Sequence, residues 1–63
     1  MDFTALMIET GMTMKDLKKI PKVTLRTIIN TLEERLAAAF IPRDERDRIY
    51  YRIDCYTELL NKA

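Results

Sequence analysis

Thr24-Leu25-Arg26-Thr27-Ile28-Ile29-Asn30-Thr31-Leu32-Glu33-Glu34-Arg35-Leu36 is the stretch that decides the fold. At about 100° per residue, Leu25, Ile28, Ile29, Leu32 and Leu36 fall within an arc of about 100°, which is one apolar stripe along a helix. Arg26, Thr27, Asn30 and Glu34 take the other side. Thr24 is placed to cap this helix, with Val23 ahead of it available to pack on the first turn. Ala37-Ala38-Ala39 extends it with strong helix formers, and Phe40 and Ile41 bring it to a close at Pro42.

Downstream, Pro42-Arg43-Asp44-Glu45 puts a proline and two acids where a first helical turn favours them, opening a helix over about residues 43–61. Its stripe is Ile49, Ile53, Tyr56 and Leu60. Two helices of similar length joined around Pro42 pack best as an antiparallel hairpin. Upstream, Pro21 disfavours a helical Ile20 and so keeps the preceding helix short. That helix starts at Thr13-Met14-Lys15-Asp16, an approximate capping box. A first helix over Asp2 to Thr10, with Asp2 as N-cap, ends at Gly11, the residue that most easily turns left-handed.

No stretch alternates apolar and polar residues as a strand requires. The pattern therefore predicts an all-α fold: residues 1–63 as a single helical domain, a small bundle of about four helices with a C-terminal antiparallel hairpin. The expected core is Leu6, Leu17, Ile20, Leu25, Ile28, Ile29, Leu32, Leu36, Phe40, Ile49, Ile53, Tyr56 and Leu60. Met1, Met7, Met12 and Met14 serve as flexible fillers at its lid.

The chain has 63 residues, one Cys and no His. A core this small is marginal, so self-association as a homodimer through the last helix is an expectation. Without His, and with a single thiol, the chain lacks the commonest general base, an internal disulfide and a structural zinc site. Asp47, Asp54 and Glu58 lie on the solvent side of the last helix, without the burial that acid–base catalysis wants. The expectation is a protein that is not an enzyme and takes no metal or cofactor. The longest apolar run, Leu36 to Ile41, is far short of the ~20 residues of a membrane helix. The opening Met1-Asp2-Phe3-Thr4 has no basic leader, and a lone Cys suits a reducing compartment, so the reading is a soluble cytoplasmic protein with no membrane partner.

Net charge is +1, but residues 12–26 carry Lys15, Lys18, Lys19, Lys22 and Arg26 against Asp16 alone, a local +4. Such a segment suits phosphate or an acidic partner. Met14-Lys15-Asp16-Leu17-Lys18-Lys19-Ile20, a tight break, and then Val23 through Glu34 resembles the helix-turn-helix of DNA-binding regulators over residues 13–36. Leu17, Val23, Thr24, Ile28 and Leu32 fall at that family's anchor positions. The resemblance implies a small transcriptional regulator of duplex DNA. Lys15, Lys18, Lys19, Lys22 and Thr24 would hold the phosphate backbone, and Arg26, Thr27 and Asn30 would face the major groove.

A second reading stays open: a compact helical interaction module, of the inhibitor or adaptor kind that phages and mobile elements encode, binding a host or regulatory protein. Its contact face would be the exposed side of the last helix, with Tyr50, Tyr51 and Cys55, or the lysines against an acidic protein. Tyr51 also fits a seam with the first helix, and Cys55 fits a small packing residue.

Overall fold

The computed structural model describes residues 1–38 and 40–62 and arranges them as α1 (Thr4–Thr10), α2 (Met14–Lys18), α3 (Lys22–Leu36) and α4 (Arg43–Lys62). Among the described residues there is no strand, and the fold is the expected small all-α bundle. α3 and α4 form its antiparallel hairpin. At one end Arg35 Nε donates to Glu45 Oε1 at 3.1 Å, and at the other Leu25 and Leu59 meet in the core. No helix of the described residues is long and apolar enough to cross a membrane.

The short helices owe their limits to local chemistry. Gly11 sits at φ 68°, and its N–H donates to the Met7 carbonyl at 2.9 Å, closing α1 in a left-handed turn. Thr13 and Asp16 form the capping box of α2: each side chain accepts from the other's backbone N–H, both at 3.2 Å. Asp2 acts one residue earlier than an N-cap, because Phe3 holds that position. Its Oδ1 accepts from the Thr4 hydroxyl at 2.6 Å and the Thr4 N–H at 2.9 Å, and those bonds hold the carboxyl below its ordinary range.

The long helices depart from the sequence reading at their ends. α3 begins at Lys22, with extended Pro21 in the N-cap position, so Thr24 lies inside the first turn and caps nothing. A proline fixed near φ −60° fits directly ahead of a helix, which lets the turn close sooner than the hydroxyl suggested. α3 also stops at Leu36, where the Ala37 N–H is shared between the Glu33 and Glu34 carbonyls. Ala37 and Ala38 therefore do not prolong it, and Ala39 lies outside the described residues. Phe40, beyond the helix end and off its stripe, is 99% exposed and is not a core residue.

The buried core consists of Leu6, Leu17, Leu25, Ile49, Cys55, Tyr56 and Leu59. Ile20, Ile28, Ile29, Leu32, Leu36, Ile53 and Leu60 are only half-buried. On α4 Ile49 and Tyr56 of the expected Ile49–Ile53–Tyr56–Leu60 stripe are buried, but the buried face as a whole is turned from that stripe by about 70° toward Cys55 and Leu59, taking about 100° per residue. The reason is α1, which packs Leu6 onto α4 from the side opposite Ile53 and makes Cys55 and Leu59 central.

Tyr51 fastens that contact. Its hydroxyl donates to the Asp2 carbonyl at 2.8 Å and accepts the Leu6 N–H at 3.3 Å, satisfying one of the first-turn donors that the side chain at Phe3 cannot cap. Glu9 Oε2 accepts from Arg52 Nη2 at 2.6 Å and from Nε at 2.7 Å, tying the far end of α1 to the same helix. Tyr51→Phe should cost about 1 to 2 kcal/mol and speed hydrogen exchange at the Leu6 amide, measured by denaturant unfolding and by NMR. Unchanged exchange at Leu6 would contradict this role.

Burial raises the Cys55 thiol, the Tyr51 phenol and the Tyr56 phenol above their ordinary values of 9.0, 10.0 and 10.0. The folded state therefore keeps these protons longer than the unfolded chain does. The resulting stabilisation is complete below pH 9 and is lost as pH climbs through the folded values. Melting temperature should fall above pH 9, starting later in Cys55→Ala.

Candidate nucleic-acid interface

The candidate surface begins with two buried leucines that fix the rotation of their helices. Leu17 is wholly buried in α2, so at about 100° per residue Lys15, Lys18 and Lys19 lie within an arc of about 100° on the side turned away from it. Leu25, 1% exposed, does the same for α3. Val23, Arg26, Thr27 and Asn30 all lie more than about 90° from it and form the outer face. Lys22 and Thr24 flank that face on opposite sides.

All eight residues singled out for nucleic acid, Lys15, Lys18, Lys19, Lys22, Thr24, Arg26, Thr27 and Asn30, are exposed. The ion pairs among the described residues are Arg35–Glu45, Arg52–Glu9 and Lys62–Glu58, and none draws on Lys15, Lys18, Lys19, Lys22 or Arg26. Asp16, the one acid of this segment, is occupied by the Thr13 N–H. Glu33 lies seven residues beyond Arg26, about 10 Å along the helix axis, which is roughly one Debye length at physiological salt. The acids at the far end of α3 therefore leave the field of the five cations largely intact.

The N-terminus of α3 adds to this field. No acid lies in its first turn and no side chain caps it, so its helix dipole reinforces Lys22. The threonines contribute less than their exposure suggests. The Thr27 hydroxyl donates to the Val23 carbonyl at 3.0 Å, and the Thr31 hydroxyl donates to the Thr27 carbonyl at 2.9 Å. The Thr27 oxygen is left as an acceptor only.

Val23 is a residue the sequence reading placed wrongly. It is 69% exposed and sits with Arg26 and Asn30, not against the first turn. Its separation from Leu25, two residues and hence about 200°, is the signal that marks it as outward-facing once the helix starts at Lys22.

The alternative contact set divides. Tyr50 is 49% exposed on α4, but Tyr51 is half-buried against α1 and Cys55 is fully buried in the core. Tyr51 and Cys55 thus take the seam and packing places and not the contact face, because α1 covers the flank of α4 that carries them. Among the described residues no cluster of His, Cys, Asp or Glu could hold a metal ion.

Comparison of the chain with protein-family models, with curated proteins and with solved structures found no match.

Thr13→Ala should cost about 1 kcal/mol by breaking the capping box, whereas Thr24→Ala should change stability by less than about 0.5 kcal/mol. Chemical denaturation of the two variants checks the placement of both hydroxyls.

Proposed function

We propose that this chain is a small DNA-binding regulator that docks through α2, the Pro21 turn and the first half of α3. The observation that carries the reading is the set of five exposed cations, Lys15, Lys18, Lys19, Lys22 and Arg26, on α2, the turn and the start of α3, with no acid of the described residues in an ion pair with them. Lys15, Lys18, Lys19 and Lys22 neutralise backbone phosphates and set the register. Arg26 and Asn30, one helical turn apart on the outer face, are the side chains suited to bidentate contacts with guanine and adenine edges. Val23 offers an apolar contact to a thymine methyl on the same face. A homodimer through the outer side of α4, where Tyr50 stands half exposed, would set two such corners along one duplex.

Binding of duplex DNA should weaken steeply with salt, with a log–log slope of about −3 to −4 if the four lysines each meet a phosphate. Lys19→Ala should reduce that slope by about 1 on every sequence, and Arg26→Ala should cost about 1 to 3 kcal/mol only on a preferred site. Fluorescence anisotropy at several salt concentrations measures both. No binding at low salt would end the proposal.

A protein partner is the second reading, supported by the exposed apolar side chains Ile8, at 76%, and Phe40. Affinity capture from a nuclease-treated lysate separates the two readings. A partner retained after nuclease and lost on Phe40→Ser would favour the protein module.

A further inference from the structure

At the end of the bundle where α3 begins and α4 finishes, the side chains of Phe3, Met14, Ile20, Leu25 and Leu59 line a cavity of about 500 Å³. Four of these five come from different elements: the segment ahead of α1, then α2, α3 and α4. Leu25 and Leu59 form its buried floor, while Phe3, Met14 and Ile20 are half-buried walls. Pockets of this size and lining are those that take small molecules: apolar walls hold the body of a ligand, and a few polar groups at the mouth orient it.

The mouth carries Lys18, Lys62 and Glu58. Lys62 Nζ lies 3.1 Å from Glu58 Oε1, so those two charges largely cancel. Lys18 has no such partner among the described ion pairs and leaves the lining side chains with a net charge of +1. An apolar well with one unspent cation at its edge is complementary to an amphiphile with a single anionic head. It disfavours a cationic amphiphile, which would have to displace Lys62 from Glu58 while facing Lys18.

We infer that this cavity binds a medium-chain carboxylate, its alkyl chain against Leu25 and Leu59 and its carboxylate at Lys18. The site does not depend on the nucleic-acid reading but shares Lys18 with it, so a bound carboxylate and a backbone phosphate would compete for that ammonium. An occupant would join α2 to the C-terminal turn of α4.

Decanoate is a suitable probe, used below its micellar concentration with the intact chain. Methyl-region NMR should show saturable shifts at Met14, Ile20, Leu25 and Leu59, with Ile8 and Ile49 unmoved. Decanol, which keeps the chain and loses the charge, should bind about threefold to fivefold more weakly, and Lys18→Met should weaken decanoate by the same factor while leaving decanol unaffected. Lys18 is exposed, so this variant leaves the core intact, and its unchanged circular dichroism spectrum is the control. Equal affinity for decanoate and decanol, shifts centred away from these methyl groups, or no saturation would each overturn the inference.

Discussion

Everything in this molecule rests on how few side chains carry its core. Leu6, Leu17 and Leu25, one from each of the first three helices, converge on Cys55, Tyr56 and Leu59 of α4. Each leucine immobilises its whole helix, because α1 and α2 have no other buried residue and α3 has only this one. Seven- and five-residue helices are unstable in isolation, so α1 and α2 exist through that docking and through their caps. The rotation of α2 about Leu17 in turn decides where three lysines point. Packing and surface charge are thus one problem in this fold.

The helices themselves were legible in the sequence, as were the stop of α1 and the start of α2. Gly11 and the Thr13–Asp16 pair act locally, through backbone conformation and a three-residue hydrogen-bonded loop, and such effects survive any tertiary arrangement. The face of α4 was legible only in part: Ile49 and Tyr56 are buried as expected, Ile53 and Leu60 only half so. Periodicity reports the most apolar arc, and Ile49, Ile53, Tyr56 and Leu60 are that arc. The arc actually buried depends on where α1 lands, which is set by Leu6 and by two contacts spanning more than forty residues, Tyr51 with Asp2 and Arg52 with Glu9. Cys55 flanks the polar side by periodicity, and its packing role is realised because a helix covers it.

The charged corner was more accessible to reasoning. Lysines at positions 15, 18 and 19 lie on one side of any helix that buries Leu17, so their common orientation follows from a single residue. What composition could not supply was whether acids elsewhere in the chain fold back onto them. Among the acids of α1 and α4, Glu9 pairs with Arg52, Glu45 with Arg35 and Glu58 with Lys62, and no ion pair of the described residues reaches the five cations. Val23 entered the outer face only because α3 starts at Lys22, a boundary set by proline geometry and not by the hydroxyl at position 24.

The solitary sulfur at position 55 has a practical bearing on this protein. It is sealed from solvent and holds its proton tightly, so an alkylating reagent reaches it only when α1 lifts away or the whole chain opens. The pace of covalent tagging is therefore a built-in clock for that excursion. Run against denaturant, it would tell detachment of the N-terminal helix from global collapse of the bundle without any added label.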